Sequence, residues 1–110
     1  MSEPLLILTN CPDDATAERI ARTVVEQRLA ACVNRLAAVH SVYRWQGAIE
    51  QAVEVPLLIK TTRERYPELE AAIRALHPHG VPEIIALPIG GGYAPYLRWV
   101  DDETQPPLLA

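Results

Sequence analysis

Residues 33–62, VNRLAAVHSVYRWQGAIEQAVEVPLLIKTT, read as one β-hairpin with a single turn candidate at Gln46-Gly47. The stretch is rich in β-branched and aromatic residues. Val53, Val55, Leu57 and Ile59 alternate with Glu54, Pro56, Leu58 and Lys60, the two-residue period of a strand. In the first arm Val39, Tyr43 and Trp45 share one parity and Leu36 and Val42 the other, so a bulge or bend is expected near Ala37. Arms of about 14 residues at roughly 3.3 Å each would span about 46 Å. A compact domain of this length has a diameter near ~34 Å. The hairpin should therefore overhang its own core and present unpaired strand edges, which proteins seldom leave bare. An obligate oligomer built through those edges follows.

Working outward, Leu5–Thr9 is a short apolar run closed by Asn10-Cys11-Pro12. Asp13 and Asp14 are N-cap candidates for a helix running to about Ala30, with Ala17, Ile20, Ala21, Val24, Val25 and Leu29 on one face. After the hairpin, Pro67, Glu68 and Glu70 suit the start of a second helix with Leu69, Ile73 and Leu76 buried, ended by Pro78. Residues 81–89 read as a fourth strand, and residues 93–101 as a short terminal helix turning Leu97 and Val100 inward. The polar, proline-bearing tail over residues 102–110 is expected to fray. The order is βαββαβ, an α+β ferredoxin-like sandwich with the long hairpin as its second and third strands and a short helix at its C-terminal end. Residues 1–110 are expected to form one domain.

Composition narrows the partners. A net charge of −4 argues against a nucleic-acid backbone or an anionic membrane. No segment approaches the ~20 apolar residues of a membrane span. The start MSEPLLIL lacks a signal peptide's basic region and long apolar stretch, so a cytoplasmic location is expected, with Cys11 and Cys32 as thiols. The first and third strands of the sheet carry no aromatic, which excludes the stacking platform of an RNA-recognition domain. Asp13 and Asp14, with no nearby glycine, stand where an acyl-phosphate hydrolase would cradle its anion.

Two candidate sites remain. Cys11, in the loop after the first strand, could approach His77 and His79 at one corner, a thiolate and imidazoles suited to copper or zinc. His77 can equally be a helix C-terminal residue favoured by the dipole. Cys32 reads as a small core residue. Tyr43, Trp45, Tyr96 and Trp99 suit either packing between subunits or an aromatic-lined intersubunit cleft rimmed by Glu54, Lys60 and Glu83. No nucleophile–base grouping is legible, so no enzyme activity is expected and no cofactor is required.

Several segments then align in order with one family. Pro12-Asp13 with Ala15-Thr16-Ala17, Leu29-Ala30-Ala31-Cys32-Val33-Asn34, Ser41-Val42-Tyr43-Arg44-Trp45-Gln46-Gly47, Ile59-Lys60-Thr61, His77-Pro78, Val81-Pro82-Glu83-Ile84-Ile85 and Tyr96-Leu97-Arg98-Trp99 resemble the CutA family of divalent-cation tolerance proteins, over nearly all of residues 5–101. The resemblance implies a ferredoxin-like subunit in a tight homotrimer, joined by strand pairing through the hairpin and similar to the PII signalling proteins. It implies a role in copper and divalent-cation tolerance, with copper or another divalent cation as candidate ligand. The alternative is a PII-like sensor or interaction hub whose intersubunit cleft takes a small ligand, with no metal function. Copper ligands in the enterobacterial branch are a cysteine ending the first strand and two adjacent histidines before the proline. Here Thr9 and Leu76 occupy two of those places, only His77 matches directly, and Cys11 and His79 would have to substitute from shifted positions.

Overall fold

The computed structural model describes residues 2–106. Strand β1 (Pro4–Cys11) alternates strictly, with Leu5, Ile7, Thr9 and Cys11 buried and the residues between them half-buried. Its buried face meets helix α1 (Asp14–Glu26), whose Ile20 and Val24 are fully covered. Asp13 caps that helix by accepting the Thr16 N–H at 2.7 Å. The helix ends at Glu26, four residues earlier than its apolar pattern suggests, because Arg28 enters the left-handed region (φ 59°). The Arg28 guanidinium donates to the carbonyls of Asp102 and Gln105, both at 3.0 Å, contacts far away in sequence that hold the turn.

The hairpin is present but its first arm is broken. Strands β2 (Cys32–Arg35) and β3 (Val39–Trp45) both pair antiparallel with β4 (Ala48–Thr62). Arg35 faces Leu57 and Val39 faces Glu54, so three residues of the first arm oppose two of the second. That single extra residue is a bulge, and it flips the face on which side chains project. Leu36 N–H donates to Pro56 O at 3.0 Å across it. At the tip, Trp45 pairs with Ala48, and Gln46 and Gly47 both have positive φ (49° and 81°). This is the two-residue turn whose twist matches a strand pair.

Helix α2 (Tyr66–Leu76) follows β4, then strand β5 (Ile84–Pro88) and helix α3 (Ala94–Glu103). The main sheet runs β2-β4-β1-β5, the ferredoxin-like order. One face, carrying Leu5, Ile7, Val55, Leu57 and Ile59, packs on Ile20 and Val24 of α1 and Leu69 and Ile73 of α2 to form the core. Two sequence expectations need correction here. The fourth strand begins at Ile84 rather than Val81, because Thr9–Ile84 is the last rung on β1 and Pro82 cannot donate to a ladder. The tail does not fray at residue 102: α3 runs through Glu103, and Thr104 is buried with its hydroxyl on Val100 O at 2.8 Å. Residues 107–110 of the expected tail lie outside the described residues.

The overhang is realised. Rungs between β1 and β4 end at Cys11–Val55, so residues 48–54 of β4 pair with β3 alone and the ribbon projects beyond the core. The molecule measures 47 × 33 × 23 Å.

Candidate functional site

Pairing of β3 with β4 sorts the ribbon into two faces. Ser41, Tyr43 and Trp45 share one with Glu50 and Glu54; His40, Val42 and Arg44 share the other with Ile49 and Val53. Where the first face meets the loop before β5 there is a cleft of about 620 Å³, lined by Asn10, Ser41, Val42, Tyr43, Trp45, Glu54, His79, Gly80, Val81 and Glu83. Asn10 organises its floor. Its side-chain Nδ2 donates to Glu83 Oε2 at 3.3 Å, and its carbonyl lies 2.8 Å from His77 Nε2. His77 Nδ1 in turn accepts the His79 N–H at 3.2 Å. The ring therefore carries its proton on Nε2 and donates it to Asn10, leaving neither nitrogen with a free lone pair. His77 is a buried brace between the end of β1 and the loop that walls the cleft.

These contacts correct the reading of the copper corner. Cys11 is the last residue of β1 rather than a loop residue, and it is fully buried on the core face. Burial first, and then the negative charges of Asp13 and Glu54, push its thiol up to about 11, so it is protonated at neutral pH. His77 is saturated by hydrogen bonds, and of the three residues only His79, its ring 4.8 Å from that of His77 and tilted 58° to it, is exposed. Among the described residues no three His, Cys, Asp or Glu side chains gather closely enough to share a metal ion. Cys11, His77 and His79 as folded do not fit a copper ion.

The cleft candidates divide. Tyr43, Trp45, Glu54 and Glu83 line one cleft. Lys60, Tyr96 and Trp99 belong to a second cluster on the sheet face away from the core. There the Lys60 ammonium donates to Asn34 Oδ1 and lies 3.9 Å from Cys32 Sγ, with Cys32 and Lys60 on the same rung. The rings of Tyr96 and Trp99 on α3 lie 5.6 Å apart, tilted by 35°. Burial and then the nearby Cys32 thiol raise the Tyr96 hydroxyl above its ordinary range. Cys32 is thus half-buried beside these groups rather than part of the core. Asn10, Ser41 and the loop residues Gly80 and Val81 were not singled out by sequence reasoning. Asn10 reaches its partners 67 and 73 positions away, which leaves no spacing signal.

Fold and site together define a ferredoxin-like α+β subunit with a long edge-exposed hairpin and an aromatic–acidic cleft at the hairpin's base. A family model described as "CutA1 divalent ion tolerance protein" matches residues 5–103, and the chain belongs to that family. The divalent-cation tolerance protein CutA of Thermus thermophilus is 46% identical over 99 residues, covering 90% of this chain and 96% of that protein. Its solved structure superposes with a TM-score of 0.91 at 44% identity, covering 93% and 99% of the two chains. The human protein CutA is 47% identical over 95 residues, which are 86% of this chain but 53% of the human one, so the chain spans about half of that relative's length. A structure described as the periplasmic divalent cation tolerance protein CutA from Archaeoglobus fulgidus matches at 35% identity with a TM-score of 0.90, covering 93% and 99%. No helix among the described residues is long and apolar enough to cross a membrane.

Proposed function

We propose that the chain acts in divalent-cation tolerance as a homotrimer joined through the hairpin, without enzymatic activity and in the cytoplasm, with no nucleic-acid or membrane partner. Family membership over residues 5–103 is the observation that carries the tolerance role. Trimer assembly is supported by the unpaired edge of β4 over residues 48–54 and by Val42, Ile49 and Val53, each more than half exposed on one ribbon face. A non-catalytic role is supported by a Cys11 thiol held protonated and a His77 ring with no nitrogen left to act as a base. Copper is not a resident cofactor on this reading. At this corner its contact is confined to the exposed imidazole of His79, and one ligand gives weak binding.

Two measurements test this. In a bacterium lacking its own CutA, the chain should restore growth in elevated copper; failure to restore it would overturn the tolerance role. Titration of the metal-free protein with Cu(II) should show weak uptake, reduced in His79→Ala and unchanged in Cys11→Ser. Tight uptake lost in Cys11→Ser would return copper to the corner. A second reading, a sensor whose cleft takes a small ligand, is favoured by the convergence of Tyr43, Trp45, Glu54 and Glu83 on one cavity.

A further inference from the structure

We propose that the cleft at the base of the hairpin binds a small organic cation, a primary alkylammonium ion, with its nitrogen held by Glu54 and Glu83 and its alkyl body against Tyr43 and Trp45. This rests on the small-ligand reading of the cleft and names the ligand's chemistry. The charge balance decides the sign. Two carboxylates line the cavity and neither a lysine nor an arginine does. The same negative field reaches into the core, where Asp13 and Glu54 both act against ionisation of the Cys11 thiol. Glu50, on the rung opposite Tyr43, extends the acidic face toward the tip. An anion would be repelled from such a site.

Shape and acceptors narrow the class. At about 620 Å³ the cleft is of small-molecule size, within the usual ~300–1,000 Å³. An ammonium group has three donors and no acceptor. The cleft answers with the Glu54 and Glu83 carboxylates, the Ser41 hydroxyl, and the Asn10 side-chain oxygen, whose amide nitrogen is already committed to Glu83. Tyr43 and Trp45 stand two residues apart on one face and remain 42% and 47% exposed, so their rings are open to an alkyl chain and a neighbouring positive charge. A hydrated divalent ion would use the carboxylates and leave both rings without a function.

The protein contains two tryptophans, so Trp99→Phe makes Trp45 the sole reporter. In that background, Trp45 fluorescence is followed against butylammonium chloride at constant ionic strength, with butan-1-ol as the neutral analogue and acrylamide as a probe of access. Saturable butylammonium binding is expected, weakened at least about tenfold by Glu54→Gln at unchanged oligomeric mass, and no saturable response to butan-1-ol. Equal binding of the alcohol, or undiminished binding in Glu54→Gln, would overturn the ligand class and leave the cleft standing. So would absent binding with Trp45 freely quenched by acrylamide. Trp45 shielded from acrylamide would show that another subunit fills the cleft, and both the class and the small-ligand reading would fall. Should Glu54→Gln change the mass, Glu83→Gln supplies the same comparison.

Discussion

His77 shows how far one side chain's hydrogen bonds can redirect a functional reading. Its Nε2 donates to Asn10 O and its Nδ1 accepts from His79 N–H, so the imidazole ties the loop after α2 to the end of β1, 67 positions away in sequence. His77→Ala should cost about 1–3 kcal/mol, since a buried ring is removed and a part-buried carbonyl and N–H lose their partner. Urea unfolding would check this, with copper uptake unchanged alongside. A variant of full stability that no longer takes up copper would make the ring a ligand instead. Cys11 offers a pH test at the same scale. Its thiol sits at about 11 in the folded chain against an ordinary 9.0. The unfolded chain therefore gives up this proton first. The contribution is complete below about pH 9 and is lost as pH rises toward about 11, by up to roughly 2–3 kcal/mol. Urea midpoints at pH 8 and pH 10.5 should fall more in the native sequence than in Cys11→Ala, whose own drop reports the remaining alkaline groups.

Among the elements, the hairpin tip is where backbone geometry most constrains sequence. Gly47 at φ 81° is open to substitution sterically, with nothing within 4 Å of an added Cβ, so any penalty there is conformational. Gly47→Val should lower stability by about 1–2 kcal/mol, the cost of forcing a branched residue left-handed, whereas Gln46→Asn should be neutral or mildly stabilising. Thermal unfolding of the two variants distinguishes them, and equal melting temperatures would contradict the turn assignment. Elements governed by local pattern were legible: the alternation in β4, the Gln46-Gly47 turn, and the parity change that demanded a bulge near Ala37. Elements governed by distant partners were not. The end of α1 depends on Arg28 reaching Asp102 and Gln105, and that same contact anchors a tail whose composition alone suggests fraying. The site divides along the same line. Strand parity puts Tyr43, Trp45 and Glu54 on one face, while Glu83 joins them through Asn10 across the fold. Lys60, Tyr96 and Trp99 share residue chemistry with that set but stand on another surface, a separation that only the sheet register reveals.

The whole molecule is longer than its core requires. Its radius of gyration of 14.7 Å exceeds the ~13 Å of a compact chain of this length, its longest axis reaches 47 Å, and the excess is the β3–β4 ribbon. One ribbon face is acidic and aromatic, with Glu50, Glu54, Tyr43 and Trp45; the other is apolar and basic, with Val42, Ile49, Val53 and Arg44. The apolar face and the free backbone edge are expensive to leave in water. Burial of the apolar face and the free edge against further copies is what the proposed trimer requires, and it leaves the acidic, aromatic face open to the cleft. Static light scattering on the purified protein tests this most directly. The account predicts a mass of three 12.2 kDa chains that persists on dilution. A mass of one chain would contradict it, since the ribbon's edges and apolar face would then stand uncovered in solution.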